Sequence, residues 1–578
     1  MATTPVRPDC IGPGPARDLE PPYMGAASED CIDLFLASNE GAPVVPPQQA
    51  SASGVMRYPS AAPLECALAR RLGVAPAQVV VTAGADDALL RAALAFLGPG
   101  RPLTIATPTF EMIPRYARIA CAETREVPWS GAGFPTREII ARARGSAGVV
   151  AVVSPNNPTG AVAGAETLVE LSQALPQCIV LVDGAYTEFA DEDLTPIALG
   201  LPNAIVIRTF SKAYGGAGMR VGWAAGPAEL VRALRASGNP YPVSSMALSW
   251  ALATLEESAQ ARLRRSIAQV RTGRAILART LRTHGIRVDP GQGNFVFLRT
   301  RRAALVVRLL AALGIAVRGF SGRPHLGDAV RITVPPGRPA LRRLARALDA
   351  VLAPKAILFD LDGVLADVSG SYRAAIIETA ASFGARIDAE MVRSEKAAGN
   401  ANDDWSLAQR VMARAGVLRT LDEVRARFEE IYQGVDGRPG LRERESLLVP
   451  REVLRSIADR ARLAIVTGRP RADAERFLSR FGIAGFFQAV VVREDARLKP
   501  DPEPVLVALR RLGVTSAWML GDTVDDIRAA RAAEVVPIGV LAPTECDESP
   551  LRGAGASVVL GNAGEVLGLL AADKEDRP

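Results

Sequence analysis

The sequence predicts an α/β protein in two parts, each organised on a mostly parallel sheet, and three observations lead there. At 578 residues the chain is too long for one hydrophobic core and should hold about three or four folding units. Short continuous apolar runs, each closed by Gly, Pro, Ser, Asn or Asp, alternate with helical stretches, which is the pattern of buried parallel strands. The runs fall into two separate series, one over residues 79–226 and one beginning at 356.

The first series comprises VVVTAG (79–84), LTIATP (103–108), VVAVVSP (149–155), IVLVDGAY (179–186) and AIVIRTFSK (204–212). An arginine-rich periodic stretch over about 247–283 reads as one long amphipathic helix. It leads to a smaller α+β unit with strands near NFVFLR (294–299) and AVRITV (329–334). The second series comprises AILFDLD (356–362), LAIVTG (463–468), AVVVRED (489–495), AWMLGDT (517–523) and VPIGVL (536–541). A charged helical insertion over about 370–450 separates its first two strands and has the character of a lid. The boundary is placed at Ala353 and Pro354, giving parts 1–353 and 354–578. Within the first part, a large domain is expected over about 50–245 and a small one over about 250–353 with the N-terminal segment. The closing ADKEDRP reads as a frayed tail.

Composition narrows the chemistry. The net charge of +6 on so long a chain gives no basis for a nucleic-acid or membrane partner. The opening MATTPVRPDCIGPGPARD has no apolar stretch of the signal-peptide kind, and six scattered cysteines show no CxxC pair, so a cytoplasmic protein without structural zinc is expected. Only His284 and His325 are histidines, which leaves little material for a Ser-His-Asp triad or a multi-histidine metal site. There are five lysines (Lys212, Lys355, Lys396, Lys499, Lys574) against 63 arginines. A guanidinium cannot lose its proton in a protein, whereas an amine can become a neutral nucleophile or serve as a compact point charge. Lys212 and Lys499 lie inside motifs; the other three have bland surroundings.

Lys212, in RTFSKAYGGAGMRVGW, is the only lysine of the first 350 residues, so an aldehyde cofactor can be held covalently there or nowhere. Asp183 ends an apolar strand, where it can keep a pyridine nitrogen protonated or, more plainly, cap a helix. Tyr186 and Asn157, the latter in SPNNPTG, are suited to bonding a cofactor's phenolic oxygen, although a turn alone also explains that motif. Thr209, Ser211 and Arg220 surround Lys212, and VTAGADDAL offers backbone amides at a helix start around Ala85 and Asp86, together a phosphate site. The set is the equipment of pyridoxal 5'-phosphate chemistry. The glycine clusters GGAGMRVG and PGQGNF are not G-x-G-x-x-G after a strand, and no nucleotide-binding loop motif occurs.

These residues resemble the fold-type I aminotransferases, and among them the histidinol-phosphate aminotransferase group, over roughly 30–350. The resemblance implies a large α/β and a small α+β domain. It also implies that Phe110 stacks on the cofactor ring and that Tyr58 reaches the cofactor of the neighbouring subunit of a homodimer. An ordinary core role is the other reading of Phe110. Arg331, Arg318 and Asn39 are the implied substrate contacts. The family's usual Asn-Glu-Asn-Pro stands here as Asn39-Glu40-Gly41-Ala42, and the acid that commonly follows the pyridine-binding aspartate is Gly184.

In LFDLDGVLAD an apolar strand delivers Asp360 and Asp362, whose spacing predicts side chains on one face of the strand. Two close carboxylates call for a divalent cation or a proton. Asp360 can then attack phosphorus while Asp362 moves a proton to the leaving alcohol and later from water. Thr467 and Lys499 can bind phosphoryl oxygens, and Asp522 and Asp526 can complete, with Asp360 and Asp362, an oxygen-ligand Mg2+ site. The order and type of these motifs resemble the haloacid dehalogenase-like hydrolases over about 355–565, a Rossmann-like fold with a helical cap similar to that of the phosphoglycolate phosphatase group. The resemblance implies phosphoryl transfer, because dehalogenases of the superfamily lack the second aspartate; phosphatase and mutase both stay open.

Joined, the halves suggest amino transfer to a phosphorylated carbonyl compound followed by removal of the phosphate. The resemblance makes the first substrate imidazole acetol phosphate, with glutamate as amino donor, giving L-histidinol phosphate and then L-histidinol. The alternatives are the same pair of reactions on another phosphorylated ketone or aldehyde in natural-product synthesis, a decarboxylase of an amino-acid phosphate fused to a phosphatase, and a ligand-sensing regulator on an aminotransferase fold.

Overall fold

The computed structural model describes residues 32–46, 55–130, 133–398, 403–435, 437–543 and 545–570. The opening segment and the ADKEDRP tail lie outside them. The chain divides into two compact units, one containing Phe35–Ala303 and Val317–Leu341, the other Ala304–Ala316 and the chain from Arg342 onward.

In the first unit, after a short β1 (Leu34–Leu36), come β2 (Val79–Thr82), β3 (Leu103–Thr107), β4 (Thr124–Pro128), β5 (Val149–Val153), β6 (Ile179–Asp183), β7 (Ala204–Thr209) and β8 (Gly222–Ala225). They form a seven-stranded sheet in the order β2-β8-β7-β6-β5-β3-β4, parallel except for β8, which runs antiparallel to both neighbours. Alternate residues of one strand serve opposite faces: Val150 and Val152 join one hydrophobic cluster, Val149, Ala151 and Val153 the other. Burial on both faces is why these strands read as unbroken apolar runs. The expected single long helix is two, Ser245–Thr254 and Glu257–Thr283, interrupted at Leu255 and Glu256. Strands β9 (Arg287–Asp289), β10 (Phe295–Arg299), β11 (Ile315–Gly319) and β12 (Ala329–Thr333) form with β1 a five-stranded sheet in the order β1-β11-β12-β10-β9. Its register sets Arg318 opposite Arg331.

The second unit opens with β13 (Ala356–Phe359), followed by the two-residue β14 (Ala366–Asp367), β15 (Gly434–Val435), β16 (Arg438–Pro439) and β17 (Ser446–Leu447). Then come β18 (Arg462–Val466), β19 (Phe487–Val491), β20 (Ala517–Gly521), β21 (Val536–Val540) and β22 (Val558–Leu560). The six-stranded sheet β19-β18-β13-β20-β21-β22 is parallel throughout, with β13 central. The insertion is helical as expected, with helices Tyr372–Ser382, Ala389–Ala398, Asp404–Arg414 and Leu421–Gln433. Among the described residues no helix is long and apolar enough to cross a membrane.

Candidate functional site

A cavity of about 540 Å³ opens at the C-terminal ends of the parallel strands of the first unit, the position where such sheets carry ligands. Its lining includes Ala85, Asp86, Phe110, Asn157, Asp183, Tyr186, Thr209, Ser211, Lys212, Arg220, Arg318 and Arg331. Lys212 Nζ donates to the Ser38 carbonyl oxygen at 2.9 Å and lies 5.8 Å from the Tyr186 ring centroid. Asp183, the last residue of β6, is buried, and one carboxylate oxygen accepts the Ala185 N–H at 3.1 Å. Burial pushes its carboxyl up to about 6, with Asp86 adding and the Ala185 amide and Lys212 opposing. A protonated ring nitrogen in the cavity would supply the positive partner this carboxylate needs.

The phosphate cradle also fits. Helix Ala85–Phe96 begins directly after Gly84, whose φ is +83°, and its first residues, Ala85 and Asp86, line the cavity. A Cβ on Gly84 would lie 2.6 Å from Arg220 Nη2, and one on Gly222 would lie 2.6 Å from the Gly84 carbonyl carbon. Both glycines therefore allow β2, β8 and the Arg220 guanidinium to close around a small anion. Arg220 donates to Ser211 Oγ at 3.3 Å and pairs with Asp86 at 3.3 Å, while Thr209 Oγ1 donates to Ser211 Oγ at 2.9 Å. Charge-assisted bonds are worth about 1.5–3 kcal/mol each, so Arg220→Leu should raise the dissociation constant for pyridoxal phosphate by roughly 10- to 100-fold, read by titrating cofactor-free protein.

The remaining expected residues are placed as follows. Tyr186 accepts a hydrogen bond on its hydroxyl from Asn39 Nδ2 at 2.9 Å, so Asn39 acts on the cavity through Tyr186. Asn157 accepts from Arg331 Nη1, and Arg331 Nη2 donates to the Ala37 carbonyl at 2.5 Å. Arg318 contacts Glu111 at 3.4 Å and Arg323 contacts the same carboxylate at 2.5 Å; Glu111 and Arg323 line the cavity and were not singled out by the sequence. Phe110 both lines the cavity and packs on the sheet's hydrophobic cluster, so its two readings coexist. Tyr58 is not brought to this chain's cavity: it is 81% exposed and stacks on Tyr241 at 4.5 Å. Asn156, beside the expected Asn157, is fully buried and ties its loop together by donating to the Pro108 carbonyl at 2.9 Å and to Thr159 Oγ1 at 2.8 Å. At the two departures from the family motif an added side chain would be crowded: a Cβ on Gly41 would lie 2.0 Å from the Lys212 carbonyl oxygen, and one on Gly184 would lie 2.6 Å from Thr187 Oγ1.

In the second unit, Asp360, Asp522 and Asp526 each bring an oxygen to within 4.8 Å of the others. Lys499 Nζ donates to Asp360 Oδ1 at 2.6 Å and to the Val466 carbonyl at 3.1 Å, and it pairs with Asp526. Burial pushes the Asp360 carboxyl well above the usual range; Lys499 opposes this, and Asp526, Asp522 and Asp362 add to it. Burial alone would lower the Lys499 ammonium, but Asp360 and Asp526 hold it protonated. Three carboxylates against one ammonium leave an excess of negative charge that a hard divalent cation suits. Asp526 is also held from outside the cluster, since its Oδ2 accepts from Thr523 Oγ1 at 2.6 Å in a capping box that starts helix Val524–Ala532. Thr467, just past β18, is buried and its Oγ1 accepts the Arg469 N–H at 3.2 Å.

Asp362 corrects an expectation. Strand β13 ends at Phe359, so the alternation that would put Asp360 and Asp362 on one face no longer governs them. The Asp362 side chain instead meets Arg469, whose Nε donates to Asp362 Oδ1 at 2.7 Å, and it is not a member of the three-carboxylate cluster. The cleft between cap and sheet is lined by Asp360, Asp362, Asp404, Trp405, Arg469 and Asp522 among others. Its volume is about 40 Å³, room for roughly three waters.

The folds and sites define two enzyme classes in one chain, a fold-type I pyridoxal-phosphate transferase and a carboxylate-based phosphohydrolase. The chain belongs to the class I and II aminotransferases, whose family model matches residues 23–348, and residues 354–534 match the haloacid dehalogenase-like hydrolase model. Histidinol-phosphate aminotransferase 1 of Bradyrhizobium diazoefficiens is 35% identical over 330 residues, 55% of this chain and 93% of that protein. A Phytophthora nicotianae protein named imidazoleglycerol-phosphate dehydratase is 45% identical over 238 residues, 38% of this chain; the match spans only 53% of that relative's length. A solved histidinol-phosphate aminotransferase from Sinorhizobium meliloti in complex with pyridoxal-5'-phosphate is 26% identical, covering 55% of this chain and 90% of that one, at a TM-score of 0.49.

Proposed function

We propose that the chain transfers an amino group from glutamate to imidazole acetol phosphate and hydrolyses the resulting L-histidinol phosphate to L-histidinol, with residues 1–353 and 354–578 as the two enzymes. The observation that carries the reading is Lys212, the only lysine before Lys355, in one cavity with buried Asp183 and the Ser211–Arg220 cradle. The likeness to a histidinol-phosphate aminotransferase over most of its length supports the substrate, and the names of both relatives denote imidazole-bearing phosphate esters. Incubating purified protein with L-histidinol phosphate and 2-oxoglutarate tests it: glutamate and inorganic phosphate should both appear, and the absence of both defeats the proposal. If glutamate forms from other phosphorylated amines but not from this one, the natural-product reading takes its place; carbon dioxide released from an amino-acid phosphate without amino transfer would point to a decarboxylase.

Bound in the first cavity, pyridoxal phosphate supplies an electron sink and the carbon that carries the amino group between substrates. Asp183 keeps a proton on the ring nitrogen. Lys212 Nζ moves the proton at the substrate α-carbon, and Asn157 and Tyr186 hold the phenolic oxygen. Arg331 and Arg318 bind the acidic groups of the two substrates. In a homodimer, exposed Tyr58 would reach the cofactor of the partner subunit. In the second unit Asp360, Asp522 and Asp526 would hold a magnesium ion, which would supply charge neutralisation. An Asp360 oxygen attacks phosphorus, the ester P–O bond breaks, and Asp362 gives the departing oxygen its proton. Lys499 and Thr467 bind the phosphoryl oxygens, and water then releases phosphate from Asp360 with Asp362 taking the proton. The scattered cysteines, with Cys66, Cys121, Cys178 and Cys546 free, favour a reducing cytoplasmic setting.

Asp183 also makes a pH prediction for the cofactor-free protein. Its folded pKa, about 6, lies above the ordinary 3.8, so its contribution to stability is complete below pH 3.8 and is lost as pH rises through about 6. Asp183→Asn should therefore stabilise the cofactor-free protein by on the order of 2–3 kcal/mol above pH 7 and by nothing below about pH 4. Denaturant melts at the two pH values check this, and an equal effect at both contradicts it.

A further inference from the structure

Arg469 is one of 63 arginines, and nothing in the sequence sets it apart. In the structure it is the hub of a buried polar network. Its side chain is 1% exposed, and the guanidinium packs over the rings of Tyr372 at 4.8 Å and Phe477 at 5.4 Å. Nε and Nη2 both address one oxygen of Asp362, Oδ1, at 2.7 and 2.5 Å. Nη1 donates to Glu445 Oε2 at 3.1 Å. The other oxygen of Glu445 accepts from Ser371 Oγ and from Tyr432 Oη, each at 3.0 Å. Ser371 precedes the first helix of the cap and Tyr432 lies near the end of its last, so the guanidinium is fixed from the cap on one side and grips Asp362 on the other.

We propose that Arg469, braced by Glu445 and the cap, is the positioning residue that aims the second oxygen of Asp362 at the leaving-group oxygen of the phosphate ester. The inference rests on the phosphohydrolase reading above. A guanidinium suits this role, because a planar fork buried between two rings cannot swing, and engaging Oδ1 alone leaves Oδ2 for the substrate. Because Glu445, Ser371 and Tyr432 all belong to the insertion while Arg469 follows β18 of the sheet, the Arg469–Glu445 contact is made only with the cap seated, and Asp362 is set with it. Proton delivery is thereby tied to closure, which limits it to substrates the cap accepts.

The test compares two esters on the full-length protein with Mg2+. Histidinol phosphate, an alkyl ester, leaves as an alkoxide and needs the proton; p-nitrophenyl phosphate leaves as a stable anion and does not. The parameter is kcat/KM, which reports events through the loss of the leaving group. Arg469→Met should lower kcat/KM for histidinol phosphate by about 100-fold, within the range of general acid catalysis, and that for p-nitrophenyl phosphate by less than about threefold. Glu445→Gln, a milder change, should show the same selectivity at about tenfold, and it decides the matter if Arg469→Met does not fold. Equal losses on both esters, or no loss on either, overturn the proposal, the first by making Arg469 a phosphoryl contact or a purely structural residue. If the parent protein cleaves neither ester, the phosphohydrolase reading itself fails, which is a different result from a parent active on both whose variants lack selectivity.

Discussion

Lys212→Ala should abolish amino transfer, by at least about 10⁴-fold, and with it the visible absorbance of covalently held cofactor, while phosphate release is unchanged. The size of the effect follows from the absence of a substitute. No other lysine occurs before Lys355, and the cavity's cations are otherwise arginines, which stay charged and cannot act as neutral amines. Lys212→Arg should consequently be as inactive as the alanine variant. The loop is held by backbone hydrogen bonds, from the Gly215 N–H to the Lys212 carbonyl at 3.1 Å and from the Gly216 N–H to the Phe210 carbonyl at 2.9 Å, which the substitution leaves in place. Cofactor should still enter the Arg220 cradle, though without the covalent signature. Absorbance spectra and coupled glutamate assays check this. Retention of more than about a hundredth of the activity would mean that another group performs the proton transfer, and the assignment of the cavity would fail.

The parts of both sites carried by strand ends were legible in the sequence, since a buried parallel strand is an unbroken apolar run and its first polar residue falls at the sheet's ligand edge. Asp183 ends β6 as the run IVLVD implies, whereas in AIVIRT the first polar residue, Arg208, pairs with Glu188 and Thr209 after it lines the cavity. Strands that break that pattern were missed. TREVP, now β4, lies at the sheet edge with mostly part-exposed residues, and GWAA, now β8, has little of the β-branched character that marks a strand. The pause at Leu255 and Glu256 was hidden because the helical periodicity resumes after it. Contacts that join distant segments were not readable at all. Arg469 meets Asp362 from 107 positions away, and Glu445 meets Ser371 from 74, so no local spacing could have paired them. The placing of Asp362 shows the limit of periodicity most directly: the i, i+2 rule holds while the strand lasts, and β13 stops one residue before Asp360.

Asp360→Asn should remove phosphate release, by on the order of 10⁴-fold or more, and leave amino transfer intact. An amide is a poor nucleophile toward phosphorus, so the covalent step has no donor; Asp526, unlike Asp360, is tied into the Thr523 capping box. The same substitution carries a second, opposite effect on stability. Asp360 is a buried carboxyl pushed well up by desolvation and by the neighbouring carboxylates. Removing its charge relieves that repulsion in the metal-free protein, yet it also takes from Lys499 the acceptor at 2.6 Å. Of these, the loss of a carboxylate from a crowded acidic cluster should dominate without metal, and its loss as a ligand should dominate with metal. Mg2+ should therefore raise the thermal midpoint of the parent protein and raise that of Asp360→Asn far less, measured with and without a chelator on the same preparations. Equal stabilisation of both proteins by Mg2+ would place the ion away from Asp360, and phosphate release surviving in the variant would assign the nucleophile to another residue.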